Sequence, residues 1–135
     1  MDASTRRLVR HRAAERCEYC RLPQAASPWA LFQIEHIRPI KHHGTDELSN
    51  LCLACGHCNR HKGPNLASVD PVTSDLTPLF NPRTDDWVSH FRFAEHRILG
   101  LTAIGRVTVD ILKMNAVRRV ELRIQLAREG LFSIE

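Results

Sequence analysis

The sequence predicts an α+β fold: a β-β-α unit locked by four cysteines, continued by a β-hairpin and two helices. Three observations lead there. Two Cys-x-x-Cys pairs, Cys17/Cys20 and Cys55/Cys58, are joined by a connection long enough for them to face each other, the spacing of a tetrahedral structural zinc. Between the pairs, residues 29–37 and 51–54 read as strands, and a helix begins near Cys55 and breaks at Gly63-Pro64. Beyond residue 79, residues 87–93 and 98–101 read as a hairpin around Ala94-Glu95-His96, followed by two helical patterns.

In chain order, Ser4 caps a helix running to about Ala14, with Leu8, Val9 and Ala13 as a thin apolar edge and Arg6, Arg7, Arg10 and Arg12 over the remainder. Residues 21–28 are polar, hold two prolines and form a loop. The first strand ends at Glu35-His36 and is cut off by Pro39, after which Lys41-His42-His43-Gly44-Thr45 turns. Residues 46–49 connect to the second strand. Residues 64–78 lack an apolar period and read as a surface loop dividing the metal core from the rest. Thr102 caps a helix through Met114 with Ile104, Val107 and Ile111 on one side, and residues 117–129 repeat the pattern with Val120, Ile124 and Ala127 before Gly130.

The 135 residues suit one domain with one core. Lys plus Arg exceed Asp plus Glu by 19 to 15, a formal +4, and the pI is near 9.0, which suits a polyanionic partner without requiring one. No run has the length of a membrane span, and the basic N-terminus lacks the apolar stretch of a signal peptide, so a cytoplasmic protein with no membrane partner is expected. Five cysteines, four of them at metal-ligand spacing, fit a reducing compartment better than a disulfide scaffold.

Cys17-x-x-Cys20, Glu35-His36-Ile37-x-Pro39, Asn50-Leu51 and Ala54-Cys55-x-x-Cys58-Asn59-x-x-Lys62-Gly63, taken together, resemble the zinc-containing, four-cysteine branch of the HNH endonucleases. The motifs cover about a third of the chain. Leu79-Phe80-Asn81-Pro82-Arg83, Leu101-Thr102-x-Ile104-Gly105-Arg106 and the helices that follow look like an extension found in bacterial HNH proteins. The resemblance implies a ββα-metal (His-Me finger) core over residues 17–63 and a C-terminal hairpin and helical extension over 79–135, within one HNH domain spanning 1–135. It also implies a metal-dependent nuclease hydrolysing DNA, most simply duplex DNA, with a structural Zn2+ and a catalytic Mg2+ or Mn2+. Oligomeric state is not legible. Cys52, Cys55 and Cys58 recur at equal spacing, so Cys52/Cys55 is an alternative second knuckle; the family pattern, with Asn and Lys-Gly directly after the last ligand, favours Cys55/Cys58 and leaves Cys52 a buried, inert thiol.

Phosphodiester hydrolysis needs a water nucleophile, a base to take its proton and a cation to absorb charge on phosphate. His36 is the candidate base. Glu35 is a candidate hard-oxygen ligand for the catalytic cation, provided the strand end twists enough for both neighbours to reach the site. The family's last motif position falls on Asn59 and implies a second ligand there. His61 is its rival, offset by about 200° on a helix. Asn50 matches the middle letter of the motif, which implies a role in fixing the loop and orienting the base. Lys62, with Arg60 and Lys41, is expected at nucleic-acid phosphate. Two other classes fit part of the pattern: a non-catalytic zinc-ribbon module that binds nucleic acid, and an iron site carrying electrons at the four thiolates.

Overall fold

The computed structural model describes residues 1–133. Helix α1 (Ala3–Arg12) is capped by Asp2, not Ser4: the Asp2 carboxylate accepts from the Thr5 amide at 2.8 Å. Val9 is its one buried residue, and the helix lies across the two strands that follow. Strand β1 (Gln33–His36) is shorter than the sequence suggests. The Phe32 amide and carbonyl, which would extend the ladder, are taken by the Gln24 and Arg10 side chains at 2.7 and 3.1 Å. β1 pairs antiparallel with β2 (Leu51–Ala54), placing Glu35 opposite Cys52 and His36 opposite Leu51.

All four residues of β2 are buried, because α1 covers one side of the sheet and the next helix touches both strands. That helix, α2 (Gly56–Lys62), is capped by the Cys55 thiol accepting from the Cys58 amide, and Gly63 ends it at φ 49°, a backbone conformation that favours glycine.

Residues 64–78, expected as a loop, contain a hairpin of β3 (Ala67–Val69) and β4 (Leu76–Pro78). Its stability is not written in a hydrophobic period. Besides the hairpin's packing against the helix at 103–111, a non-local ion pair anchors its turn: buried Asp70 accepts from Arg106 at 3.0 and 2.8 Å and from Thr73 at 2.9 Å.

In the hairpin expected around Ala94-Glu95-His96, residues 87–90 form instead the short helix α3 (Trp87–His90), and the strands are β5 (Phe91–Ala94) and β6 (Arg97–Gly100). Thr102 caps α4 (Ala103–Ile111) through the Gly105 amide, as its position predicts. Gly105 lets the helix close on the hairpin, since a Cβ there would lie 2.1 Å from the His90 carbonyl oxygen. Helix α5 (Val117–Arg128) differs from expectation in its inward face: Arg123 and Leu126 are buried, and Val120, Ile124 and Ala127 only half so. The Arg123 guanidinium is tolerated there because it donates to the His96 carbonyl at 2.6 Å and the Asn115 amide oxygen at 3.1 Å.

One cluster of buried residues runs from Val9 to Phe132 and joins the β1–β2–α2 unit to the extension. Tyr19, beside the first cysteine pair, meets Phe80 edge-on at 6.5 Å, and Trp87 donates to the Tyr19 carbonyl at 2.7 Å. Among the described residues no helix is long and apolar enough to cross a membrane.

The Asp70–Arg106 pair makes a pH-dependent contribution to stability. Arg106 holds the Asp70 carboxyl well below the usual carboxylate range. A depressed pKa stabilises the fold above the unfolded carboxylate value and the gain is lost as pH falls through the folded one. Arg106→Ala should therefore lower the melting temperature at pH 7, and the gap to wild type should narrow progressively below about pH 4, read by circular dichroism melts across pH.

Candidate metal centre and adjoining cleft

Cys17 and Cys20 lie on a tight turn in which the Cys17 amide bonds the Leu22 carbonyl and the Arg21 amide bonds the Cys17 carbonyl, both at 2.9 Å. Cys55 and Cys58 lie on the first turn of α2. The four sulfurs are buried and all fall within 4.8 Å of one another, with Cys20 and Cys55 at 3.8 Å. Zinc–thiolate bonds of about 2.3 Å in a tetrahedron place sulfurs about 3.8 Å apart, so the donor set fits one structural zinc. Burial pushes the Cys17 thiol well above its ordinary value; thiolates so enclosed are stable only against a cation.

Part of that charge is met by the extension. Arg119 on α5 donates to the Cys55 sulfur at 3.3 Å. Burial opposes its charge, but Cys20, Cys55 and Cys58 together hold its pKa above the usual value. Arg119 was invisible from sequence, because no spacing relates α5 to the knuckles.

Cys52 is outside the quartet. It is fully buried on β2, within 3.7 Å of the Tyr19 hydroxyl, and donates to Glu35 Oε2 at 3.3 Å. The Glu35 carboxylate, 7% exposed, forms an ion pair with Lys62 Nζ at 2.7 Å. Lys62, itself 1% exposed, also donates to the Ile37 carbonyl at 3.0 Å and the His36 carbonyl at 3.4 Å. Burial raises the Glu35 pKa, and Lys62 opposes the rise.

Two expectations change here. Lys62 is enclosed rather than presented to phosphate, and the Glu35 carboxylate is engaged at both oxygens inside the protein. Along a strand of period two the neighbours diverge, His36 toward the open cleft and Glu35 toward the buried Lys62, although Glu35 still forms part of the cleft's inner wall. What the pair does instead is grip the backbone of His36 and Ile37 from beneath.

His36 faces an open cleft of about 390 Å³ whose lining includes Glu35, Asn59, Arg60, Ile40 and Gly63. Its Nε2 lies 2.6 Å from Asp46 Oδ1. That hydrogen bond holds the Asp46 carboxyl below its ordinary value, so the carboxylate accepts from the Nε2–H, and Nδ1 is the ring nitrogen that Asp46 does not engage. Asp46 lies in the segment expected only to connect the strands. The turn chemistry gave no signal of it, because the pairing depends on how the loop folds back.

Asn50 folds that loop. Its Oδ1 accepts from the Arg38 amide at 2.8 Å, and its Nδ2 donates to the carbonyls of Arg38 at 3.0 Å and Thr45 at 2.8 Å. Gly44 permits the close return, since a Cβ on it would meet the Arg38 carbonyl oxygen at 1.6 Å. Asn50 thus ties the loop that carries Asp46 without touching the His36 ring.

Asn59 shares the cleft with His36, and its Nδ2 donates to Gln33 Oε1. His61 does not share it: its Nδ1 donates to the His57 carbonyl at 2.8 Å and its ring stacks on His57 at 4.2 Å, while His57 Nε2 donates to the Lys113 carbonyl at 2.9 Å. Arg60 and Lys41 are exposed, with Arg60 in the cleft wall.

Residues 17–65 match the family model described as HNH endonuclease, a family generally made of nucleases. No curated protein and no solved structure shows significant similarity to the chain. The matched segment holds both cysteine pairs, β1, β2, α2, His36, Asp46, Asn50 and Asn59. The extension that supplies Arg119 lies outside it.

The quartet makes a direct prediction. Purified protein should carry one equivalent of zinc by metal analysis, and Cys52→Ser should keep it while Cys58→Ser loses it together with the folded core, because zinc binding to such a site contributes on the order of 10 kcal/mol to folding. Arg119→Ala should keep the metal but release it to a chelator faster than wild type does.

Proposed function

We propose that the chain is a metal-dependent HNH endonuclease that hydrolyses phosphodiester bonds in DNA. The observation that carries this reading is the cleft beside the four-cysteine centre, where a histidine held by an ionised carboxylate and an asparagine face the same solvent space. On this reading β1, β2 and α2 are a ββα-metal core, and the structural zinc fixes α2 against the strands.

His36 is the general base. Its Nε2–H is committed to Asp46, so Nδ1 is the atom that takes a proton from water, and Asp46 stabilises the imidazolium that results. Arg60 on the cleft wall provides a cation for the phosphate oxygens. Asn59, with its amide oxygen bonded to no protein donor among those described, is the residue that would hold a divalent cation in the cleft. The chemistry such a magnesium or manganese ion would supply is neutralisation of charge on the phosphate and the leaving oxygen. Glu35 and Lys62 act through the backbone, holding His36 at the rim. Asn50 acts through the loop, presenting Asp46. The basic balance of the chain and the exposed Lys41 support a polyanionic partner.

The test is cleavage of supercoiled plasmid by zinc-loaded protein with added magnesium or manganese. His36→Ala should remain folded, keep zinc and bind DNA, yet lose about 100-fold or more in rate, the scale for removing a positioned base. A rate unchanged in His36→Ala would overturn the nuclease reading and leave a zinc-ribbon binding module.

The variants also separate metal ligand from scaffold. Asn59→Ala should need more divalent metal for half-maximal rate, and part of its activity should return at high metal. Glu35→Ala should lose about 3 kcal/mol of stability, because it strands the Lys62 charge in the interior, with the metal requirement of its folded fraction unchanged. A raised metal requirement in Glu35→Ala with normal stability would move the ligand role to Glu35.

A further inference from the structure

Trp29 and Leu31 are among the most exposed large apolar residues described, at 82% and 77%, and they sit on the turn that leads into β1. A stray surface hydrophobe is ordinary. A pair held out on a braced turn is not. Gln24 bonds this turn from inside, donating to the Ser27 and Ala30 carbonyls at 3.0 and 2.9 Å and accepting from the Phe32 amide at 2.7 Å. Arg10 adds bonds to Gln24 Oε1 at 2.7 Å and to the Phe32 carbonyl at 3.1 Å. The backbone is therefore fixed before any partner arrives, which lowers the entropy cost of binding.

The chain leaving the turn at Leu31 runs along a depression that adjoins the cleft. Leu31, Arg6, Arg10 and Ile34 line one depression, and Ile34 is shared with the cleft that holds His36 and Asn59. At the other end of β1, Ile40 on the cleft wall is 68% exposed. Arg6, Lys41 and Arg60, exposed around this path, form no ion pair among the described residues. Free cations flanking an exposed indole match a polyanion that offers flat apolar faces, which is a nucleic acid with bases out of the helical stack. An uninterrupted duplex hides those faces and presents mainly phosphate.

We propose that Trp29 and Leu31 form a stacking platform for unpaired bases beside the phosphate held at His36, so that the preferred substrate is DNA interrupted by a gap, overhang or loop. The proposal rests on the nuclease reading for the position of the phosphate. Its test does not depend on cleavage.

The full chain carrying His36→Ala, zinc-loaded and without added divalent metal, is titrated with a gapped duplex and with a continuous duplex of the same sequence, following tryptophan emission. Trp87 is buried and bonded to the Tyr19 carbonyl, so quenching of the solvent-exposed emission reports Trp29. The gapped duplex should quench this emission and bind about tenfold more tightly than the continuous one, the scale of one base–aromatic stack. Adding Trp29→Ala or Leu31→Ala should erase the preference, and Trp29→Phe should retain most of it. Equal affinity for the two duplexes, or a preference that survives Trp29→Ala, overturns the proposal. A DNA-free dimer in sedimentation that Trp29→Ala converts to monomer would assign the patch to a second copy of this chain and overturn it as well. Failure of the wild type with added magnesium or manganese to cleave either the plasmid or the gapped duplex, with the stacking preference intact, would sink the nuclease reading alone.

Discussion

Four thiols within 4.8 Å of one another, all buried, are an arrangement that few other contacts in a small protein can offset. Charged, as metal ligands must be, they repel one another and are starved of solvent. A zinc ion held by the four sulfurs would resolve both problems, and the chain around them is arranged to bring them together. The first pair fixes the turn after α1, the second fixes the first turn of α2, and β2 is carried between them into a fully buried position. Arg119 reaches the same centre from α5, so the C-terminal helices are tied to the sulfur cluster electrostatically as well as through the aromatic contacts of Tyr19, Phe80 and Trp87.

β1 then serves two environments with four residues. Its inner face contributes Glu35 to a dry cluster with Cys52, Tyr19 and Lys62, and its outer face contributes His36 to the cleft. A buried ion pair is weak evidence for net stability, since desolvation offsets much of its attraction. Its geometric effect is clearer. Lys62 is bonded at once to Glu35 and to the carbonyls at the end of β1, which couples the last turn of α2 to the strand end where His36 stands. The loop from Ile37 to Asn50 completes the arrangement from outside, with Asn50 tying it and Gly44 allowing it to close until Asp46 meets the His36 ring.

Spacing and motif order made much of this protein legible in its sequence. The cysteine pairs, the break at Gly63-Pro64, the Thr102 cap and the order strand, strand, helix are local or near-local statements, and the described fold agrees with each. The sulfur cluster was readable for the same reason: two Cys-x-x-Cys turns can meet in few ways, and of the equally spaced Cys52, Cys55 and Cys58 it is the later pair that joins Cys17 and Cys20.

What tertiary structure alone decided are the interactions between charged groups far apart in the chain. No periodicity announces that Arg106 will hold Asp70 at the turn of a hairpin, or that Arg119 and Arg123 will point inward from a helix with a weak apolar face. The same holds for Asp46 beside His36 and for Lys62 beside Glu35, where an exposed carboxylate became a histidine's partner and an expected phosphate contact became an interior cation. Local sequence sets backbone conformation through short-range sterics and capping, so it determined the elements. The fate of a charge depends on which distant groups surround it once the chain has closed, so only the assembled fold determined which ionised side chains face solvent and which are paired within.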